Sequence, residues 1–128
     1  MADAPVRVRG LWHLALRVRD VRAAAAFYRE NFGLHEVWRP DAQNVYLSSG
    51  TDNLALHQAD DVAAGGALDH LGFIVDSPEE VHAAAERLRA RGVPIAREPR
   101  EHRDGSVSFY CRDPDGNLVQ VLWLPVKT

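Results

Sequence analysis

The tetrapeptide Leu11-Trp12-His13-Leu14 returns 57 residues later as Leu68-Asp69-His70-Leu71, with a histidine in the same position. Each copy continues into an apolar strand, a helix start and an amphipathic helix. The two helices end at Gly33-Leu34 and Gly92-Val93, which are 59 residues apart. A module that occurs twice, with one histidine per copy at the same strand position, predicts a site built between the copies.

The first module predicts the order strand, helix, strand, strand, strand. Residues from Trp12 to Val18 alternate between the two faces of a strand, which is typical of a half-buried strand. Asp20 is a candidate N-cap for a helix that ends at Gly33. Turn-forming residues at Pro40-Asp41 and at 50–52 then separate three strand candidates. These candidates are His35–Arg39, Asn44–Ser48 and Asn53–Gln58.

The second module repeats this order after a short glycine-containing linker, Asp60 to Ala67. Ser77-Pro78-Glu79-Glu80 matches a capping box with proline at the first helical position. The turn Asp113-Pro114-Asp115-Gly116-Asn117 separates the last two strands. The three strands after the helix are predicted at Pro94–Arg97, Ser106–Arg112 and Leu118–Leu124. We therefore predict an α+β fold in which residues 1–128 form one domain, built from a module at 9–59 and a module at 67–125.

Composition limits the kind of protein. A net charge of −3 argues against nucleic acid as the main partner, and no apolar run approaches the roughly 20 residues that span a bilayer. Cys111 is the only cysteine, which excludes an intrachain disulfide and favours a reducing compartment. Met1 to Gly10 lack the apolar run of a secretory signal. We expect a cytoplasmic protein with no membrane or nucleic-acid partner.

Strand parity directs both repeated histidines to one surface. A helix covers one face of each small sheet, so the apolar side chains of the strands occupy that face. His13 and His70 lie on the opposite face. Two such sheets side by side predict a curved trough, and a concave surface with convergent polar groups is the default location for a small-molecule site.

The chain resembles the vicinal oxygen chelate superfamily, which includes glyoxalase I, fosfomycin-resistance and bleomycin-resistance proteins, methylmalonyl-CoA epimerase and the extradiol dioxygenases. The resemblance covers nearly the whole chain. It rests on His13-Leu14-Ala15-Leu16 with Asp20, on Phe27-Tyr28 and Phe32-Gly33-Leu34, on Asp69-His70-Leu71-Gly72-Phe73, and on Phe109-Tyr110 through Asn117. It implies paired βαβββ modules that enclose one divalent metal ion in a cup, often in a homodimer. In such a dimer the modules can be swapped, so that His13 of one chain meets His70 and Gln120 of the other.

The resemblance also implies a ligand set. The first-strand histidines correspond to His13 and His70, and the glutamate that usually closes the set is replaced by Gln120. Ala55 occupies the fourth position, which leaves that position empty. His57 lies two residues further along the same strand and is the candidate fourth ligand or general base, whereas a slip of one residue would turn it away. Nickel, manganese, zinc and iron are not distinguished.

Glutamine in place of glutamate changes the chemistry expected of the ion. Two neutral imidazoles and a carboxylate leave a site charge of about +1, whereas an amide leaves about +2. We therefore expect weaker metal binding but a stronger field on an anionic or enolate-like ligand. The triad of two histidines and one carboxylate used by non-haem iron oxygenases is absent, which disfavours extradiol cleavage.

Other side chains are candidates for binding the substrate. Trp38, Tyr46 and Tyr110 would supply an aromatic wall, Arg17 shares a face with His13, and Arg97 and Arg103 would meet an anion. For each of them a purely structural or solvated role is an equal alternative. The remaining histidines, His35, His82 and His102, are expected to be structural, although the charged loop around His102 could overhang the cup as a lid.

Two classes of function follow. The first is a glyoxalase-like metal-dependent enzyme that acts on a small, oxygenated, anionic metabolite by isomerisation, epimerisation or lyase-type addition. The alternative is a non-catalytic protein of the bleomycin-resistance kind that sequesters a small molecule. The paired histidines favour the enzyme, and the missing carboxylate ligand favours the binding protein.

Overall fold

The computed structural model describes residues 4–63 and 66–125. Residues 64 and 65, in the predicted linker, lie outside the described residues, as do the first three and the last three residues. The elements follow the predicted order twice. They are β1 (His13–Val18), α1 (Val21–Phe32), β2 (His35–Asp41), β3 (Asn44–Ser48), β4 (Asn53–Gln58), β5 (Leu71–Ile74), α2 (Pro78–Ala90), β6 (Ile95–Glu101), β7 (Val107–Arg112) and β8 (Leu118–Trp123).

The strands form two four-stranded sheets with the same topology, ordered β1-β4-β3-β2 and β5-β8-β7-β6. In each sheet the first strand of the module pairs in parallel with its last strand, and the remaining pairs are antiparallel. This is the predicted α+β arrangement of two βαβββ units, and the prediction is confirmed.

Both helices begin at the predicted N-caps. The Asp20 side chain accepts hydrogen bonds from the backbone N–H groups of Arg22 and Ala23, and the Ser77 side chain accepts from Glu80. Gly33 ends α1 with φ of 69°, a left-handed conformation that glycine adopts without steric cost. Each helix covers one face of its own sheet, so we call the opposite face of each sheet its trough face.

Two strands extend further than predicted. The turn expected at Pro40-Asp41 is wrong, because β2 continues to Asp41. The end predicted for the strand Pro94–Arg97 is also wrong, because β6 continues to Glu101. The charged loop around His102 is therefore shorter than expected, and the His102 N–H donates to the Ser106 carbonyl. The segment is therefore the connecting end of the β6–β7 hairpin.

The two modules pack against each other through α1. The Phe32 and Phe73 rings stack with centroids 4.9 Å apart. The fully buried Tyr28 donates a hydrogen bond of 2.7 Å to Asp113 Oδ2, and the Asp115 carboxylate accepts from the Arg19 backbone N–H. The pKa of Tyr28 is raised well above its ordinary value by burial and then by the Asp113 charge. The Asp113–Asn117 turn thus joins the modules as well as two strands.

Among the described residues, neither helix has the length and apolar character that crossing a membrane would require.

Candidate metal and substrate site

The two modules carry equivalent side chains on their trough faces. In the first sheet Ala15 pairs with Ala55, and Ala55 pairs with Tyr46. In the second sheet Gly72 pairs with Gln120, and Gln120 pairs with Tyr110. Ala55 and Gln120 therefore occupy equivalent positions, as the sequence repeat predicts. The first module presents no ligand atom at its position.

His13 is oriented by a neighbouring strand. It starts β1 opposite Asn53, and its Nδ1–H donates to Asn53 Oδ1 at 2.6 Å. Since an amide oxygen can only accept, Nδ1 is the donor in this contact, and Nε2 makes no hydrogen bond to the part of the chain that the structure describes. The Tyr46 ring is roughly parallel to the imidazole, with centroids 6.4 Å apart.

His70 has the same arrangement with a different acceptor. Its Nδ1–H donates to Asp69 Oδ2 at 2.7 Å, and its Nε2 likewise makes no hydrogen bond to the described residues. The Tyr110 ring meets the imidazole edge-on at 5.3 Å. Hydrogen bonds from the distal nitrogen to a carboxylate or amide oxygen are the usual way in which metal-binding histidines are held. Asn53 and Asp69 were not singled out from the sequence, because their role depends on backbone register and side-chain direction.

Gln120 lies on β8, on the trough face of the second sheet. Its Nε2 donates to the Tyr110 hydroxyl at 3.1 Å, so its Oε1 is directed away from that tyrosine. A Cβ placed on Gly72 would lie 3.1 Å from this Oε1. The absence of a side chain at residue 72 therefore gives the amide oxygen room beside β5.

One cavity of about 440 Å³ between the modules is lined by both His13 and His70, together with Asn53 and Gly72. Gln120 does not line it, but its Oε1 lies beside Gly72, which does. Across residues 4–63 and 66–125, no three His, Cys, Asp or Glu side chains are placed to hold an ion. An ion here would therefore depend on the two imidazoles and the Gln120 amide oxygen. Imidazole nitrogen and amide oxygen are both ordinary ligands of divalent metals, so this donor set fits.

His57 is on the trough face but is not brought beside His13. The register places it opposite Arg17, four residues along β4 from the partner of His13, which is about 13 Å at the rise of a β-strand. Its Nδ1–H donates to Asn44 Oδ1 at 2.6 Å, and the Tyr46 ring lies between the two histidines. His57 therefore lies too far from His13 for the two imidazoles to bind one ion.

The aromatic and cationic candidates are divided among four places. Trp38 packs on Tyr46 with centroids 5.0 Å apart, and the Arg97 guanidinium lies 5.6 Å from the Tyr110 ring centre at the equivalent position of the second sheet. Arg17 forms an exposed ion pair of 3.6 Å with Asp61. Arg103 lies in the turn between β6 and β7, away from the strand register. His102, expected to be structural, meets the buried Ser108 hydroxyl at 2.8 Å on the trough face.

Comparison with known proteins agrees with this architecture. The sequence model of the Glyoxalase/Bleomycin resistance protein/Dioxygenase superfamily matches residues 10–121, and the chain belongs to this superfamily. Proteins of this superfamily typically bind a divalent metal ion and a small-molecule substrate.

Several relatives are enzymes or resistance proteins. The chain is 33% identical over 109 residues to a probable trivalent organoarsenical cleaving enzyme of Bacillus subtilis, covering 82% of this chain and 73% of that protein. It is 31% identical over 120 residues to the fosfomycin resistance protein FosX of Listeria monocytogenes, covering 89% of each. The crystal structure of a lactoylglutathione lyase from Agrobacterium tumefaciens is similar with a TM-score of 0.77 and 30% identity, over 91% of this chain and 94% of that one.

Proposed function

We propose that the protein is a glyoxalase-type metal-dependent enzyme that acts on a small, oxygenated, anionic metabolite. The class of reaction is isomerisation, epimerisation or lyase-type addition. The observation that carries this proposal is the repeated histidine geometry: His13 and His70 line one cavity, and each donates its Nδ1–H to an oxygen acceptor and keeps Nε2 free. Structural histidines have no need for the same free nitrogen at both positions of the repeat.

We infer that His13, His70 and Gln120 hold one divalent ion, with Nε2, Nε2 and Oε1 as donors. When bound, the ion would polarise substrate oxygens as a Lewis acid. An amide in place of a carboxylate and Ala55 at the fourth position both reduce ligand charge, so we expect weak binding. Nickel, manganese, zinc and iron all fit a set of nitrogen and oxygen donors.

His57 is proposed as a contact for the end of the substrate remote from the ion, and as the candidate general base there. Asn44 holds its Nδ1–H, and Asn44 Nδ2 donates in turn to Asp41 at 2.9 and 3.1 Å. With Nδ1 as the donor, neutral His57 would have Nε2 available as an acceptor, which is the form that a general base requires. Its register position gives no support for a role as a fourth metal ligand.

The wall of the proposed site is aromatic near the ion. Trp38 and Tyr46 line it in the first module, and Tyr110 lies beside His70 and Gln120 in the second. Arg97 covers Tyr110 and is the best-placed arginine for an anionic substrate. Arg17 is engaged by Asp61, and Arg103 would reach the substrate only from the hairpin turn.

A non-catalytic binding protein is the second candidate. Gln120 and Ala55 at the two ligand positions leave no carboxylate there to move a proton. A trough with histidines and aromatic rings but no acid at these positions would still retain a small molecule.

We further propose that the chain forms a cytoplasmic homodimer. Each site would be formed either by the two modules of one chain or, if the modules are swapped, by His13 of one chain with His70 and Gln120 of the other. Trp12 is 59% exposed, Trp38 59% and Ile74 68%, and all three are large apolar side chains. Trp12 also lines the cavity between the modules, and exposed large apolar side chains of this kind support an interface.

Turnover distinguishes the two candidate functions. Untagged protein, stripped of metal or reloaded with Mn²⁺, Ni²⁺, Zn²⁺ or Fe²⁺, is incubated with S-lactoylglutathione, fosfomycin or a trivalent organoarsenical, each in large excess. Metal-dependent loss of many equivalents, absent in a His13→Ala variant, supports the enzyme. Capture of one equivalent without turnover, with or without metal, supports the binding protein and contradicts the enzyme.

A further inference from the structure

Strand β6 sorts its charges by face. Its central residues read Arg97-Glu98-Pro99-Arg100-Glu101. Arg97 pairs with Tyr110 and Arg100 pairs with Ser108, both of which lie on the trough face. A shift in register between the two arginines brings both of them to that face, although they are three residues apart.

The two acidic residues of the strand point the other way. Glu98 is hydrogen-bonded to Arg89 of the helix that covers the opposite face. Glu101 pairs with Val107, whose side chain is buried in the core, so parity directs it away from the trough. Within the described part of the chain, neither Arg97 nor Arg100 forms an ion pair with a carboxylate.

A hydrogen-bonded pair, His102 and Ser108, lies beside the arginines. The Ser108 hydroxyl is at the register position of Arg100 and lies within hydrogen-bond distance of His102 Nε2, at 2.8 Å. The trough face of β6 and β7 therefore presents two guanidinium groups and, beside them, the His102–Ser108 pair, which has one further hydrogen to donate although Ser108 itself is buried. The whole chain has a net charge of −3, so this cationic surface is a local feature and does not reflect general basicity.

We propose that Arg97, Arg100, His102 and Ser108 form a subsite for a doubly charged oxyanion, of the phosphoryl type, carried by the substrate. One guanidinium can satisfy a single carboxylate through two parallel hydrogen bonds. Two guanidiniums with a neighbouring hydroxyl exceed what a carboxylate needs and match a dianion with three terminal oxygens.

The subsite fixes how the substrate lies. Tyr110 pairs with Gln120 across β7 and β8. Ser108 lies two residues from Tyr110 along β7, which is about 7 Å at the rise of a β-strand. The substrate's dianion would thus be separated by a few bonds from the oxygens near His70 and Gln120. This inference rests on the proposed function, because it takes the trough face as the substrate site.

The test is a titration of the full chain, stripped of metal, with inorganic phosphate at about pH 8 and low ionic strength. It is followed by calorimetry and by thermal melting, with acetate as the singly charged probe. We expect saturable phosphate binding that is at least about tenfold tighter than acetate binding. Arg97→Gln and Arg100→Gln should each weaken phosphate binding by about tenfold or more, because each removes a charge-assisted hydrogen bond. Arg22→Gln, on the exposed side of α1, is the matched control and should change it by less than about twofold.

Phosphate binding that is unchanged in both variants, or weakened equally by Arg22→Gln, would overturn the subsite. Equal affinity for acetate and phosphate would overturn the assignment to a dianion. Melting of each variant without phosphate checks folding, and Arg97→Lys keeps the charge if Arg97→Gln unfolds. The titration needs neither metal nor turnover, so failure of the proposed enzyme activity leaves its result interpretable.

Discussion

Gly72 lies directly opposite Gln120 in the parallel pairing of β5 with β8, and a Cβ at residue 72 would come within 3.1 Å of Gln120 Oε1. The equivalent pair in the first module is Ala15 and Ala55. In the first module, where Ala55 leaves the ligand position empty, the residue opposite it has a side chain, Ala15. In the second module, where Gln120 places an amide at that position, the residue opposite it is glycine. We infer that the absence of a side chain at Gly72 leaves the space that the Gln120 amide occupies.

Gly72→Ala tests this relationship. The added methyl group has to displace the Gln120 amide by a few tenths of an ångström, and we expect divalent metal affinity to fall by about three- to tenfold. Ala15→Gly is the matched control at the equivalent position and should leave metal affinity unchanged. Calorimetric titration with Mn²⁺ measures both variants. Unaltered affinity in folded Gly72→Ala would show that the Gln120 amide is not held there for the ion.

The orienting acceptors of the two histidines make a second prediction. Asn53→Ala and Asp69→Ala should each reduce metal affinity by about tenfold or more, since loss of such partners typically costs 10–100-fold. Asn44→Ala is the control, because Asn44 holds His57 at the same 2.6 Å but His57 is not assigned to the ion. Long-range ¹H–¹⁵N spectra should show Nδ1 protonated in wild-type His13 and a mixture of tautomers in Asn53→Ala. Equal losses in all three variants would contradict the assignment.

The link between the modules predicts a stability effect. Tyr28→Phe removes a hydrogen bond to Asp113, a carboxylate that is 5% exposed. Leaving a buried acceptor short of one partner should lower the free energy of unfolding by about 1–3 kcal/mol. Urea unfolding measures the change, and Tyr46→Phe, on the trough face, should cost less than about 0.5 kcal/mol. A Tyr28→Phe effect as small as that of the control would remove the Asp113 contact from the forces that join the modules.

Cys111 predicts a dependence on alkaline pH. Burial, followed by the nearby Asp113 charge, raises the pKa of the thiol from 9.0 to about 12. The unfolded chain therefore releases this proton at lower pH than the folded chain. The stabilisation is complete below about pH 9 and is lost as the pH rises toward 12. Between pH 8 and 10 wild type should lose about 1 kcal/mol more than Cys111→Ala. Parallel urea melts that show the same loss in both proteins would contradict the raised pKa.

Much of the fold could be predicted from the repeat, because alternation and helix caps are local signals. The edges of the sheets were less accessible. Pro40 suggested a turn, and the strand predicted at Pro94–Arg97 stopped short of Pro99, yet both prolines lie inside edge strands, β2 and β6. Proline has no N–H to donate, and an edge strand tolerates it because one side of that strand forms no hydrogen bonds with a neighbouring strand. That the strand continues past the proline is visible only from its pairing with the partner strand.

The candidate site divides in the same way. His13, His70 and Gln120 follow from the repeat and the family resemblance. Their surroundings do not follow, because Asn53, Gly72 and Arg100 gain their roles from strand register. The sorting of charge on β6 depends on a register shift that no sequence periodicity shows. The distance of His57 from His13 likewise follows from strand register, whereas the alternation of side chains along the strand predicted only which face of the sheet His57 occupies.

The central claim is that His13, His70 and Gln120 bind one divalent ion, and calorimetric titration of the untagged, metal-free protein with Mn²⁺ tests it most directly. Wild type should bind one ion per site, His13→Ala and His70→Ala should lose that binding, and Gln120→Glu should tighten it by at least about tenfold, or about 1.4 kcal/mol. The added charge stabilises the ion without changing side-chain length. Binding that survives both histidine substitutions, or folded Gln120→Glu with wild-type affinity, would contradict the account.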